Sequence, residues 1–294
     1  MRLLVIGRDG QLARSLAERA ADHPDIDLVT SSRAEADLSS SGSVAARIAE
    51  VRPDLVVNAA AYTAVDQAED EPALAFRING EGAGEAAAAA RDVGAPIIQL
   101  STDYVFDGRA SAPYREDAPV NPLSVYGRSK LEGEEAVRAA NSDHLILRTA
   151  WVYSPFGRNF VKTMVAAAGQ RDVLTVVGDQ QGCPTSALDL AASILAIAGR
   201  WGRGDRIWLG QTYHLAGAGS ASWAELALET MAQCRRLGLP AAEVTPIRTA
   251  DWPTKAERPA YAVLDCTGIE RDLGVRLPLW RESVARTVER LALS

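Results

Sequence analysis

Cysteine, histidine and long apolar runs are all scarce in this chain of 294 residues. The cysteines Cys183, Cys234 and Cys266 stand far apart with no short pairing, and His23, His144 and His214 are equally scattered. That pattern excludes a disulfide framework and the usual metal-ligand spacings, and it implies reduced thiols, a cytoplasmic location and no metal site. No apolar run reaches membrane-spanning length, and the opening "MRLLVIGRDG" is broken by Gly7, Arg8 and Asp9 too early for a signal peptide. Positive charge is not in excess either. With 31 Lys and Arg against 38 Asp and Glu, the signs interspersed and the net charge −7, there is no electrostatic footprint for nucleic acid or an anionic membrane. An anionic substrate would have to be held by a few local arginines.

What is present is a repeating rhythm. Short apolar runs alternate with helical patterns: "RLLVIG", "DIDLVTS", "DLVVNAAA", "PIIQLST", "HLILRTAWVY" and "VLTVVG", each followed by a candidate helix. Continuous apolar strands suit a sheet covered on both faces, and the alternation implies parallel crossovers. The expected fold is a doubly wound, Rossmann-type α/β parallel sheet. After about Trp201 the rhythm loosens into pieces rich in Pro, Gly and Arg around one clear helix, "SWAELALETMAQC", which Ser222 and Glu225 can open with a capping box. The division expected is a dinucleotide-binding region over 1–150, which later helices and strands can rejoin, and a smaller α+β substrate region over 151–294.

The first strand runs into "GRDGQLA" and then a helix. Gly7 permits the tight turn, and Gly10 lets the main chain approach a pyrophosphate at a helix N-terminus. At the end of the second strand, where an acid would hold the ribose of NADH, the chain carries Ser31, Ser32 and Arg33. Hydroxyls and a guanidinium suit a 2′-phosphate, so NADPH is the expected cofactor, with NADH possible.

The fourth strand ends in "LSTDYVFDG", which sets Thr102, Asp103 and Tyr104 at its carboxyl edge. Downstream, "SVYGRSKLEG" carries Tyr126 and Lys130 four residues apart, on one helix face. An ammonium beside a tyrosine favours the ionised phenol and lowers its pKa. Such a pair makes a general acid, and Thr102 can hydrogen-bond the same carbonyl oxygen. The trio fits hydride transfer to a ketone.

These motifs, together with "RPDLVVNAAAYTAVDQAE", "LRTAWVY", "NFVKTM" and "GDQQGCPT", resemble the extended short-chain dehydrogenase/reductases along nearly the whole chain. The resemblance implies NAD(P)H-dependent reduction of the 4-keto group of a dTDP-sugar, dTDP-4-dehydro-L-rhamnose, as the last step of dTDP-L-rhamnose synthesis. It implies that Tyr126 donates the proton, that Lys130 lowers its pKa and binds the nicotinamide ribose, and that Thr102 orients the keto oxygen. Gly10, Gln11 and Leu12 would line the pyrophosphate, Asp37 and Leu38 the adenine end, and Ala61, Tyr62 and Thr63 the ribose and nicotinamide side. Thr102, Asp103, Tyr104 and Trp151 would meet the sugar, with Asn159 and Arg258 as further substrate contacts in the region covering the strand ends. Some members dimerise through magnesium bound by glutamates. Ser15 stands where one of those would be, so neither that metal nor that dimer is expected, and the chain reads as a monomer or weak homodimer.

Three alternatives carry weight. Sugar-nucleotide dehydratases resemble each other in a Thr-Asp-Glu sequence, and Tyr104 here replaces the Glu that elimination needs. An epimerase of the extended family would retain its cofactor, whereas a reductase consumes it at each turnover. A regulatory subunit like the β subunit of methionine adenosyltransferase would keep the fold without the chemistry.

Overall fold

Strand β1 (Arg2–Ile6) buries Leu3, Leu4, Val5 and Ile6 completely, as a strand covered on both faces must. In the computed structural model, which describes residues 1–293 and so leaves Ser294 of the expected 151–294 region outside, β1 lies inside a six-stranded sheet. Helix α1 (Gln11–Arg19) leads to β2 (Asp27–Ser31) on one side of β1, and α2 (Ser43–Val51) leads to β3 (Leu55–Asn58) on the other. Two short helices, α3 (Val65–Ala68) and α4 (Pro72–Phe76), a π-helical turn at Arg77–Glu81 and α5 (Gly82–Asp92) then reach β4 (Ile97–Thr102). Helix α6 (Val125–Ala140) connects to β5 (His144–Thr149).

Beyond β5 come β6 (Val152–Tyr153), α7 (Phe160–Ala168), β7 (Val173–Val177), β8 (Gln181–Gly182), β9 (Thr185–Ser186) and α8 (Ala187–Gly202). They are followed by β10 (Gln211–His214), β11 (Ala221–Ser222), α9 (Trp223–Arg236), β12 (Glu243–Ile247), α10 (Thr267–Leu273) and α11 (Trp280–Ala292). The large sheet has the order β2-β1-β3-β4-β5-β10, and every neighbouring pair is parallel. Because the chain leaves β1 first to one side and later to the other, the strand order reverses between β1 and β3. The crevice beyond their carboxyl ends is where open α/β sheets bind ligands.

Alternate residues of each strand feed opposite layers. Leu3, Val5, Leu55, Val57 and Leu145 meet Leu12, Leu16, Leu190, Ile194 and Ile269 from α1, α8 and α10. Leu4, Ile6, Val56 and Ile97 meet Val44, Ile48, Ala86 and Ala90 from α2 and α5. Both α8 and β10 thus return to the sheet from the later part of the chain.

Three local expectations are revised. "VLTVVG" forms β7, yet β7 stays outside the large sheet and pairs in parallel with β12, Val173 opposite Glu243. The reason is its pattern: Val173 and Thr175 are exposed while Leu174 and Val176 are buried, so it covers one face only. "HLILRTAWVY" is not one strand, because the backbone turns at Trp151, whose φ is +47°. The long helix before β4 is interrupted by the π-turn. By contrast, the Ser222–Glu225 capping box is present: the Glu225 N–H donates to Ser222 Oγ at 3.1 Å, and the Ser222 N–H donates to Glu225 Oε2 at 2.6 Å.

The remaining elements form a cover with its own core. Tyr153, Val161, Leu174, Val176, Leu226, Met231, Trp280 and Val284 pack together from β6, α7, β7, α9 and α11. Among the described residues, no helix is long and apolar enough to cross a membrane.

Candidate active site

At the reversal between β1 and β3 lies a cleft of about 530 Å³. Asp9, Gly10, Gln11 and Leu12 line one wall; Arg33, Asp37 and Leu38 line it on the β2 side, and Ala61, Thr63, Ser101, Tyr126 and Lys130 on the side of β3 and β4. Gly7, which also lines it, has φ +104°, and a Cβ there would lie 3.0 Å from the Ala60 nitrogen. Only glycine fits that turn. Gly10 is the N-cap of α1 and offers no side-chain cap, so the first turn keeps unpaired N–H groups for an anion. The size of the cleft and the open N-terminus of α1 suit a dinucleotide.

The Gln11 side chain ties this turn to the segment after β5. Its Nε2 donates to the Val152 carbonyl at 3.2 Å, and its Oε1 accepts from Ser154 Oγ at 2.8 Å and from Asn159 Nδ2 at 3.0 Å. Asn159 also caps α7, accepting the Lys162 N–H at 3.1 Å, and donates to the Ser154 and Phe156 carbonyls. Its amide is therefore occupied within the protein, which makes it a support for the Gln11 wall and not a free substrate contact.

At the β2 end, Arg33 is exposed and reaches Asp37 at 3.3 Å. Asp37 accepts the Ser39 N–H and hydroxyl at 2.8 and 2.7 Å. The Ser39 hydroxyl holds its pKa below the usual carboxylate range against the cost of burial. Ser32 does not line the cleft; its N–H and its hydroxyl both donate to Glu35. Tyr62 does not line it either: its hydroxyl donates to Glu71 at 2.8 Å. The Tyr62 backbone is gripped by Asn79, which accepts its N–H at 2.8 Å, donates to its carbonyl at 3.0 Å and donates to Ser129 at 2.9 Å. Asn79 fixes the 61–63 loop against the helix of Tyr126, and no local spacing reveals it.

The proton machinery sits where α6 meets β4. Ser124 caps α6 by accepting the Gly127 N–H at 3.1 Å. At Gly127 a Cβ would lie 2.3 Å from the Tyr104 carbonyl, so glycine alone lets α6 press against the turn after β4. Thr102 is buried and donates to Asp103 Oδ1 at 2.9 Å, while accepting the Tyr104 N–H at 3.1 Å. Burial pushes the Tyr126 hydroxyl up to about 12, opposed by a hydrogen bond with Thr102. Burial pushes the Lys130 amine down to about 8, opposed by the charge of Glu134 one turn on. Burial is the dominant influence on Tyr126 in this arrangement, and Lys130 Nζ donates to the Leu100 carbonyl at 2.6 Å. Asp103 is fully enclosed; burial raises it to about 7, and its Oδ2 has no partner.

Behind this centre lies a buried ion cluster that the sequence did not announce. Glu134 accepts Arg148 Nε and Nη2 at 2.8 Å each, Arg138 at 2.9 Å and the Ser101 hydroxyl at 2.6 Å. It fixes Ser101 beside Thr102 and stands on the same helix face as Lys130.

On the cover side, Trp151 packs against both the cover core and a separate cluster of Val105, Phe106 and Tyr114. Its indole stacks on Trp223 with centroids 3.6 Å apart, and a Cβ at Gly182, in the "GDQQGCPT" motif, would lie 2.5 Å from it. A non-glycine residue in the left-handed region at such a junction marks stored strain. Arg258 does not stand free for a diphosphate. It donates to Asp66 through Nη1 at 3.0 Å and Nη2 at 2.7 Å, and also hydrogen-bonds Tyr104. The Tyr104 ring in turn meets Tyr126 edge-on at 5.5 Å. Of the residues read from the sequence, Thr102, Asp103, Tyr104, Tyr126 and Lys130 converge.

Comparison with known proteins agrees along the full length. The profile of the RmlD substrate binding domain family matches residues 1–293. A dTDP-4-dehydrorhamnose reductase of Sinorhizobium fredii is 47% identical over 293 residues, which cover 100% of this chain and 98% of that protein. A dTDP-4-dehydrorhamnose reductase crystal structure from Clostridium acetobutylicum has a TM-score of 0.91 at 38% identity, covering 99% of both chains. Another, from Bacillus anthracis and in complex with NADP, has a TM-score of 0.90 at 33% identity, covering 98% of this chain and 99% of that one.

Proposed function

The chain belongs to the dTDP-4-dehydrorhamnose reductase family, and from that premise we propose that it reduces the 4-keto group of dTDP-4-dehydro-L-rhamnose to give dTDP-L-rhamnose. It is an NADPH-dependent oxidoreductase, with NADH as the second cofactor, acting in dTDP-rhamnose synthesis. The observation that carries the site assignment is that Tyr126 and Lys130 line the same cleft as the Gly10 turn of α1, beside a buried Thr102.

When bound, NADPH supplies the hydride. The chain supplies the proton and the orientation. With its hydroxyl pushed up to about 12, Tyr126 holds its proton at neutral pH, the form that an acid needs in order to protonate the oxygen of a reduced ketone. Lys130, lowered to about 8, is still an ammonium at neutral pH and can steady the negative charge that grows on Tyr126 as its proton leaves. Thr102 is held by Asp103 so that its oxygen lies next to the phenol. Trp151, stacked on Trp223, would meet the pyranose only with the part of its indole that this packing leaves open.

Tyr104 meets the sugar, positioned by the Arg258–Asp66 pair, while the enclosed Asp103 acts through its hold on Thr102. Residues 1–150, with α8, β10 and α10, form the cofactor half; the rest of residues 151–293 forms the substrate cover. The substrate is a dTDP-sugar and the location is cytoplasmic, in keeping with three unpaired cysteines.

The test is NADPH oxidation by purified protein with dTDP-4-dehydro-L-rhamnose. One NADPH should be consumed per sugar, with dTDP-L-rhamnose as product. An epimerised ketone with no net NADPH consumption would point to an epimerase. Inactivity with tight binding of another enzyme would point to a regulatory subunit.

A further inference from the structure

The loop between β6 and α7 belongs to the cover, yet it is fastened to the start of α1. Gly157, in the left-handed region at φ +60°, lies against Gln11, whose Cγ would be 3.4 Å from a Cβ placed there. Phe156 is held between two guanidiniums, that of Arg14 on α1 at 4.4 Å and that of Arg290 on α11 at 5.1 Å from the ring centroid. Lys162 Nζ donates to the Pro155 carbonyl at 3.0 Å, and Ser154 and Asn159 both donate to Gln11 Oε1. The chain is thus pinned on both sides of Arg158, while Arg158 itself is exposed.

The Arg158 side chain lines the same cleft as Asp9, Gly10 and Gln11. Its charge is unpaired. Of the three cations that line the cleft, Arg33 meets Asp37 and Lys130 donates to the Leu100 carbonyl. Among the described residues, Arg158 has neither a hydrogen bond nor an ion pair, and the carboxylate of Asp9 on the same wall does not engage it. Across the cleft are the N–H groups of the first turn of α1, which Gly10 leaves without a side-chain cap. A diphosphate can take helix N–H groups on one side and a paired guanidinium on the other. Because the loop is already anchored, only the arginine side chain has to be ordered when it binds.

We propose that Arg158 is a clamp on the cofactor's diphosphate, closing from the cover onto the phosphates that the N-terminus of α1 holds from the sheet half. This rests on the cofactor assignment above. The bound dinucleotide then ties the cover to the sheet half at its middle, beside the link that Gln11 already makes.

Calorimetric titration of the wild-type chain, Arg158→Ala and Arg158→Lys with NADPH, NADH and dTDP tests the clamp. An exposed side chain with no bonds within the protein can be replaced without harm to the fold. Arg158→Ala should weaken NADPH and NADH alike, about ten-fold, the scale of one charge-assisted contact, because both carry the same diphosphate. It should leave dTDP within two-fold. Arg158→Lys should recover part of the loss, since an ammonium keeps the charge but not the paired geometry. Unchanged affinity for both dinucleotides in Arg158→Ala overturns the inference and leaves the cofactor site standing. Weakening of NADPH alone would put the arginine on the 2′-phosphate, and weakening of dTDP in place of the dinucleotides would put it on the substrate; either result overturns it. If the wild-type chain binds neither dinucleotide, the cofactor assignment fails and this inference with it.

Discussion

The sheet half and the cover are built by different rules. In the sheet half, parallel strands of four to six residues run side by side, and four of them, β1, β3, β4 and β5, are buried nearly throughout. In the cover, two-residue strands pair across long stretches of chain, β6 with β9 and β8 with β11, and its core comes from helices α7, α9 and α11. The first design places side chains to within a fraction of a residue, because a strand end cannot slip without turning its whole face over. That is where Thr102 and Asp103 stand. The second design tolerates adjustment, as a surface that closes on a substrate requires. On the proposed reading, the sheet half carries the cofactor and the proton donor, and the cover carries most of the substrate contacts.

Substitutions should separate along that line. Apart from loss of the proton donor itself, the largest effect expected is from Lys130→Met, in the sheet half, which should cost roughly 10²–10³ in kcat, measured at saturating substrate. A loss confined to KM would erase the distinction between the halves.

Acid should also find the sheet half first. His214, on β10, is completely enclosed, and burial beside the Arg148 guanidinium lowers it to about 4. Between that value and the ordinary 6.5, the unfolded chain binds the extra proton and the folded one does not. Stability therefore rises with pH through this window and is lost as pH falls from about 6.5 toward 4, by roughly 1–3 kcal/mol. Denaturant midpoints for wild type and His214→Leu, taken at pH 7 and pH 5, should show the slope flattened in the variant.

In the cover, Arg258→Ala should raise the substrate's KM about ten-fold with kcat within a factor of three. Asp66→Asn should do less, and the double variant should fall short of the sum, since the two side chains form one pair. An unchanged KM would remove Arg258 from the substrate side. The smallest effect is structural: Ser222→Ala breaks the capping box and should cost about 1 kcal/mol of stability, with steady-state kinetics unaltered.

How much of this was legible follows the same division. Strands β1 to β5 could be read because each is a local apolar run, and the pairing of Tyr126 with Lys130 because four residues make one helical turn. The capping box of α9 was legible for the same reason. What could not be read is what depends on pairing at a distance. β10 shows only "QTYH", and it joins the sheet because β5 offers an open edge. β7 looks like a sheet strand until Thr175 is seen to face outward. Asn79 holds Tyr62 through a fold-level contact, and Arg258 finds Asp66 from the far end of the chain.

The acidities add a lesson that spacing alone could not supply. Lys130 was expected to depress Tyr126, but in the protein each is governed first by burial, in opposite directions. The outcome at neutral pH is a protonated phenol beside an ammonium, which is the starting state for donating a proton to a ketone.

The most direct test of the account is therefore Tyr126→Phe, assayed for turnover with dTDP-4-dehydro-L-rhamnose and titrated separately with NADPH. The account predicts a fall in kcat of about 10²–10⁴ with the NADPH dissociation constant within two- to three-fold of wild type. Turnover that survives the loss of this one oxygen would contradict it.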